Sequence, residues 1–303
     1  MNLSERTGAS LHSNVISGNT TSPSVPLPPS IFLDGCAWGC AFYAGVQAAF
    51  ERMWGSDFGT RTLLQGDSAG ALIAMGWALG LPSSFVQNLY QDLAQCGPVE
   101  MLKLKLSDYH DAAIDAMLKE HPDAHLKLQG RLQIGITVFP RKHVWISEWA
   151  DHADLRNTLH CSMHIPLYCR EIPFLVGKPV VDGGISIGGK HLAHGDRTRA
   201  VSAAIWTAFP GENLFDVSVP LWPFQTLFPP VDETGCANLF RLGEQSADEW
   251  FRTGAALRKR KRRSWLFKYG GMFACAGMWG MRTFEQHALP HRKRMPPKVR
   301  SRL

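Results

Sequence analysis

Residues 63–82 read LLQGDSAGALIAMGWALGLP, and the fold turns on this stretch. The apolar pair Leu63-Leu64 leads into a turn of small residues. An apolar segment follows and Pro82 closes it. This is strand, sharp turn and helix, with the helix expected from about Ala71 to Leu81. That helix is apolar nearly all round, which predicts burial on every side. The turn itself, Gly66-Asp67-Ser68-Ala69-Gly70, fits G-x-S-x-G. A serine on such a turn projects its hydroxyl clear of the sheet, and its crowded backbone demands small neighbours. The helix N-terminus behind it places positive potential where an oxyanion forms. In another setting the same serine would only cap a helix. Here the apolar run before it and the helix after it favour a nucleophile, Ser68.

The same grammar occurs upstream. Ile31-Phe32-Leu33 is a short apolar run, Asp34-Gly35 a turn, and Cys40 to about Met53 a helical pattern with Phe42, Val46, Ala49 and Phe50 on one face. Downstream, Phe85, Val86, Leu89, Tyr90, Leu93 and Ala94 mark an amphipathic helix. Ser107 is expected to cap another, which runs to about His121. Leu132 to Val138 alternates with period two, and Val144-Trp145-Ile146 suits its hairpin partner. Asp154 to Ser162 suits a helix. Val180-Val181 and Val201–Phe209 suit strands. Strands alternating with helices predict an α/β layered fold with a mostly parallel central sheet flanked by helices.

Composition divides the 303 residues unevenly. Apolar residues are 45% and charged ones 19%, a globular balance that excludes disorder throughout and a disulfide-rich mini-protein. The net charge is +6, yet residues 258–303 hold 14 Lys and Arg against one acid, Glu285, a net +13. The rest holds 18 bases against 25 acids, a net −7. Ser, Thr, Pro, Gly and Asn fill 19 of the first 30 residues, so 1–30 reads as a disordered leader. It has no apolar core of a secretory signal. No run of about 20 apolar residues suits a spanning helix. The seven cysteines, Cys36, Cys40, Cys96, Cys161, Cys169, Cys236 and Cys275, include no CxxC pair and are expected to be reduced. Cys36 with Cys40, and His160 with Cys161 and His164, read as core and surface residues rather than metal ligands, since neither set offers four ligands at zinc spacing. No metal and no cofactor are expected.

A nucleophilic serine needs a proton acceptor. His191, His194, His287 and His291 could complete a Ser-His-Asp triad, but no neighbourhood singles one out. Asp182 ends the apolar pair Val180-Val181 and precedes Gly183-Gly184, where a second backbone can approach closely. An ordinary Asp-Gly turn fits those residues equally.

Taken in order, three motifs carry a resemblance: Gly35-Cys-Ala-Trp-Gly-Cys40, Gly66-Asp-Ser68-Ala-Gly70 and Asp182-Gly-Gly184. The chain resembles the patatin-like phospholipase family, most closely its adiponutrin and adipose-triglyceride-lipase branch. Gly45-Val46, Gly70–Ala74, Cys161–Pro166 and Phe209–Asn213 are similar to segments of that branch, so the likeness runs from about Ile31 to Asn213 and more weakly to about Arg258. The resemblance implies a three-layer patatin-like α/β domain over 31–257 and a Ser–Asp dyad without histidine. It implies Ser68 as nucleophile and Asp182 as base, with an oxyanion hole at Gly35, Cys36 and Ala37. The implied substrates are lipid esters, acylglycerols or phospholipids, with acyl transfer to another lipid in some members. The family loop is G-x-G-x-x-G, and this chain has Ala37 and Cys40 at its second and third glycines. The loop is expected to adjust by passing the left-handed position to Gly39. If it does not adjust, a catalytically weak or inactive lipid-binding scaffold on the same fold is the alternative.

The tail 258–303 opens with Arg258-Lys-Arg-Lys-Arg-Arg263, and Trp265–Met281 is partly apolar. Clustered cations attract anionic headgroups and Trp favours the interface. The expectation is a cytoplasmic protein held peripherally on a membrane or lipid-droplet surface by this tail. A solvated disordered tail, and a nuclear or nucleic-acid role using the same basic hexamer, are the less favoured readings.

Overall fold

In the computed structural model the described residues are 25–94, 106–138, 142–165, 169, 173–175, 177–185, 200–206, 216–221 and 233–253. The basic tail with Arg258–Arg263 and Trp265–Met281 lies outside them. So do residues 1–24, Cys96, Cys275, His191, His194, His287, His291 and Phe209–Asn213.

Strand β1 (Ser30–Leu33) buries Ile31, Phe32 and Leu33 together, as a parallel strand covered on both faces does. Helix α1 (Cys40–Trp54) returns the chain to β2 (Leu63–Asp67), which pairs with β1 in parallel. Helix α2 (Ala69–Ala78) follows, and all ten of its residues are buried, as its all-round apolarity predicts. It starts two residues before the expected Ala71. It also ends before the expected Leu81, because Gly80 turns left-handed at φ +77° ahead of Pro82. Helices α3 (Ser83–Ala94), α4 (Leu106–Leu118) and the short α5 (Ala124–Lys127) lead to β3 (Leu132–Val138). Ser107 lies inside the first turn of α4 rather than before it, which corrects its expected capping role. Strand β4 (Lys142–Ile146) pairs with β3 antiparallel, as the hairpin reading expects. Helix α6 (His152–Ser162) starts earlier than Asp154, because Asp151 caps it by accepting from the Asp154 amide at 2.8 Å.

Strands β5 (Phe174–Leu175), β6 (Lys178–Val181), β7 (Ala200–Trp206) and β8 (Val217–Leu221) complete an eight-stranded sheet in the order β5-β6-β3-β2-β1-β7-β8, with β4 also on β3. The four strand pairs among β3, β2, β1, β7 and β8 are parallel, so the sheet is mostly parallel, as expected.

One feature of the register places the site. β4 faces β3 from Ile134 to Val138, while β6 faces Thr137 and Val138. Two strands cannot share one edge at the same residues, so β6 lies on the edge that β2 occupies lower down. β2 pairs up to Asp67–Gly135, and β6 takes over from Thr137 upward, running the opposite way. The ends of β2 and β6 therefore meet head-on beside β3, and the next residue of each is Ser68 and Asp182.

The sequence reading places no helix after β8, but α7 (Glu233–Arg252) is there. Its signal is the recurrence of Cys236, Leu239, Phe240, Ala247 and Trp250 at helical spacing. It packs along α1, where Gly45 and Gly243 let the backbones touch. Phe50 of α1 sits amid Trp54, Phe58, Trp77, Trp250 and Phe251, with ring centroids 4.6 to 6.2 Å away. Residues 25–30, expected within the disordered leader 1–30, are tied to the domain. The Val25 carbonyl accepts from the Trp54 indole at 2.7 Å, and the Pro28 carbonyl accepts from the Thr62 hydroxyl at 2.7 Å. No helix among the described residues is long and apolar enough to cross a membrane.

Candidate active site

Ser68 stands at the junction of β2 and α2 with φ +54° and ψ −136°. A residue bearing a Cβ pays about 1–3 kcal/mol to sit there, and it stays only where its surroundings over-determine it. The two motif glycines are part of those surroundings. A Cβ on Gly70 would lie 2.4 Å from the carbonyl oxygens of Leu33 and Asp34, and one on Gly66 would lie 2.6 Å from the Ala71 amide. Ser68 occupies the helix N-cap position, yet its side chain caps nothing. Its hydroxyl instead donates to Oδ2 of Asp182, 114 residues away. The capping reading of this serine is therefore set aside by geometry.

Asp182 follows β6 and is held on three sides. Its amide donates to the His164 carbonyl at 2.9 Å, its Oδ1 accepts from the Gly184 amide at 2.9 Å, and its carbonyl accepts from the Thr137 hydroxyl at 2.8 Å. Burial pushes the Asp182 carboxyl up from its ordinary 3.8 to about 7, the Ser68 and Gly184 hydrogen bonds opposing and the Asp34 charge adding to the rise. A carboxyl poised there can take a proton near neutrality.

The loop after β1 lies against the serine. A Cβ on Gly35 would stand 3.1 Å from Ser68 Cβ and 3.7 Å from its Oγ. The Gly39 amide donates to the Cys36 carbonyl at 2.8 Å, closing a turn whose first inner residue is Ala37. That position needs positive φ, and Ala37 takes φ +46° while Gly39 has φ −77°. The expected transfer of the left-handed position to Gly39 is thus corrected. Gly39 is the N-cap residue ahead of α1, and the strain falls on Ala37. The three expected oxyanion amides differ in their present partners. Gly35 donates to Oδ1 of Asp34 at 3.0 Å, whereas the Cys36 and Ala37 amides donate to no acceptor among the described residues. Gly35→Ala is expected to push Ser68 off line and slow covalent labelling by a fluorophosphonate about 10- to 100-fold. A labelling time course against wild type measures it.

The elbow residue Asp67 and three residues not singled out in the sequence, Ser162, Thr137 and His143, surround the dyad. The Asp67 carboxylate is fully buried, with Oδ1 3.5 Å from Nε2 of His143, whose side chain is nearly so. The Ser162 hydroxyl accepts from the Ser68 amide at 2.9 Å and donates to the Gly135 carbonyl at 2.7 Å. Only the position of Ser162 inside the family-like segment Cys161–Pro166 pointed toward it. Thr137 and His143 carry no sequence signal, because only the sheet register brings them here. Cys36 and Cys40 lie with their sulfurs 3.4 Å apart, both buried, and burial raises the Cys36 thiol. His160 pairs with Asp111 at 3.0 Å rather than with Cys161. Among the described residues no three His, Cys, Asp or Glu side chains gather as metal ligands.

Comparison with known proteins adds to this geometry. The chain is 31% identical over 130 residues to mouse patatin-like phospholipase domain-containing protein 5, covering 40% of this chain and 29% of that protein. It is 27% identical over 174 residues to mouse omega-hydroxyceramide transacylase, covering 52% of this chain and 27% of that protein. The chain thus spans less than a third of the length of either relative. Its fold is similar to the crystal structure of VipD from Legionella pneumophila, with a TM-score of 0.50 at 12% identity over 87% of this chain and 76% of that one. No protein-family model matches the chain.

Proposed function

We propose that this chain is a serine acyl hydrolase that cleaves carboxylic esters of lipids through a Ser68–Asp182 dyad and an acyl-enzyme. The observation that carries the reading is the hydrogen bond from the strained Ser68 hydroxyl directly to the buried Asp182 carboxylate. Likeness to a patatin-like phospholipase domain protein and to a ceramide transacylase supports lipid acyl chemistry.

The steps follow from the groups present. Ser68 Oγ attacks the ester carbonyl carbon as its proton passes to Asp182 Oδ2. The carbonyl oxygen becomes an oxyanion, and amides of the Gly35, Cys36 and Ala37 loop, whose Gly35 lies against Ser68, receive it. Such a preorganised donor is typically worth about 100- to 1000-fold in rate. Collapse expels the alcohol, which takes the proton from Asp182 and leaves Ser68 acylated. Water or an acceptor lipid alcohol then attacks, again giving its proton to Asp182, and collapse releases the acid or new ester as that proton returns to Ser68 Oγ. Burial of Ser68 and Asp182, each only 6% exposed, suits reaction with an apolar acyl ester. The finer assignments, lipase against phospholipase and water against lipid as acceptor, rest on product chemistry. The basic tail is assigned to an anionic membrane or droplet surface on its charge alone.

Fluorophosphonate labelling, with turnover of a short soluble ester and of mixed lipid vesicles, tests the proposal. Wild type is expected to be labelled and Ser68→Ala not. The base must be ionised, so labelling should rise with pH through about 7 and level above it, as the raised Asp182 carboxyl dictates. Equal behaviour of wild type and Ser68→Ala on every probe would instead favour a non-catalytic lipid-binding scaffold, whose structural ground is the strained Ala37 turn.

A further inference from the structure

We propose that Ser162 and Thr137 are positioning residues of this site: two buried hydroxyls that fasten the nucleophile's turn and the acid's turn to the same strand, β3. The inference rests on the reading of Ser68 and Asp182 as the reacting pair.

Ser68 is the first residue past the end of β2, so its amide has left the sheet ladder while still inside the protein. A buried amide needs an acceptor. Ser162 Oγ supplies it at 2.9 Å, from a fully buried position at the end of α6. A hydroxyl has one proton, and Ser162 spends it on the Gly135 carbonyl of β3 at 2.7 Å. The direction of both bonds is therefore set: Ser68 N–H to Ser162, then Ser162 O–H to β3.

Thr137 does the matching work on the other half. Its Oγ1 donates to the Asp182 carbonyl at 2.8 Å and stands 3.2 Å from the Gly183 carbonyl. Gly135 and Thr137 lie two residues apart on one strand. The distance between nucleophile and base is then inherited from a single rigid segment rather than from two loops. An alanine at 162 or a valine at 137 keeps most of the volume and removes the link. Ser68 would be free to leave its positive-φ state, and the Asp182 turn to slide along β3.

The test compares Ser162→Ala, Thr137→Val and Thr137→Ser with wild type on p-nitrophenyl butyrate. Ser162→Ala and Thr137→Val are expected to lower kcat about 10- to 100-fold with KM unchanged, since the dyad is displaced rather than the binding walls. Thr137→Ser keeps the hydroxyl and is expected to hold the wild-type kcat. A merely structural role would lower thermal stability and leave the kcat of folded protein intact. Wild-type kcat in both Ser162→Ala and Thr137→Val overturns the inference. If Ser162→Ala does not fold, the Thr137 pair decides. A crystal structure of Ser162→Ala or Thr137→Val gives a reading that needs no turnover. Loss of the Ser68–Asp182 hydrogen bond is expected, and its retention with Ser68 near φ +54° overturns the inference. If wild type turns over no ester, the proposed hydrolase fails, and these crystal structures still decide the positioning role.

Discussion

Asp182→Asn should lower ester turnover about 100- to 10 000-fold, the usual worth of a positioned base, and at the same time make the protein more stable at alkaline pH. Both effects come from one carboxyl. The folded state raises it from 3.8 to about 7 by burial, so the folded protein holds this proton more tightly than the unfolded chain does. The sign follows from that difference. Stability is greatest where both states keep the proton, below about 4. It falls as pH rises through the window from about 4 to 7, and the full cost is present above 7. A shift of that size corresponds to about 4 kcal/mol at most. Asparagine cannot ionise and escapes the cost. Chemical denaturation at pH 4 and pH 8 measures it. The variant should equal or trail wild type at pH 4 and exceed it at pH 8. Equal stability at both would mean that Asp182 is not held protonated by its surroundings. Full ester turnover in the variant would remove Asp182 from the reaction.

The other large effect is expected far from the dyad, where α1 meets α7. A Cβ on Gly45 would come within 1.9 Å of the Phe240 carbonyl, and one on Gly243 within 2.0 Å of the Phe42 carbonyl. The obstacles are backbone atoms in helices, which cannot turn aside as a side chain can. Gly45→Ala or Gly243→Ala must therefore push the two helices apart, loosening the aromatic cluster around Phe50. Each single variant should lose about 3 kcal/mol or more of stability, the upper end for overpacking. The double variant should lose less than the sum, because helices already parted by one methyl accommodate the second. Urea midpoints of the four proteins give the answer. Strict additivity would mean that the two glycines do not share one contact.

The resemblance to lipid acyl hydrolases and the α/β alternation were legible in the chain because both are local. Residues 63–82 hold strand, elbow and helix within 20 positions, although what requires Gly70 to be small is distant, the Leu33 and Asp34 carbonyls. The burial of α2 on all sides was legible for the same reason: its composition leaves no polar face. The helix over Glu233–Arg252 also carries a local signal, its apolar residues recurring at helical spacing opposite a charged face.

The sequence by itself thus determined that Ser68 would sit on a strained turn and that Asp182 would close a strand. It did not determine that they would touch. That contact spans 114 positions and depends on β6 entering, in reverse direction, the length of β3's edge that β2 leaves empty. Register along a shared edge is set by the pairing of whole strands, not by the residues at their ends. Only the tertiary structure, for the same reason, brought Ser162 and Thr137 to the dyad and placed the left-handed strain on Ala37 rather than Gly39.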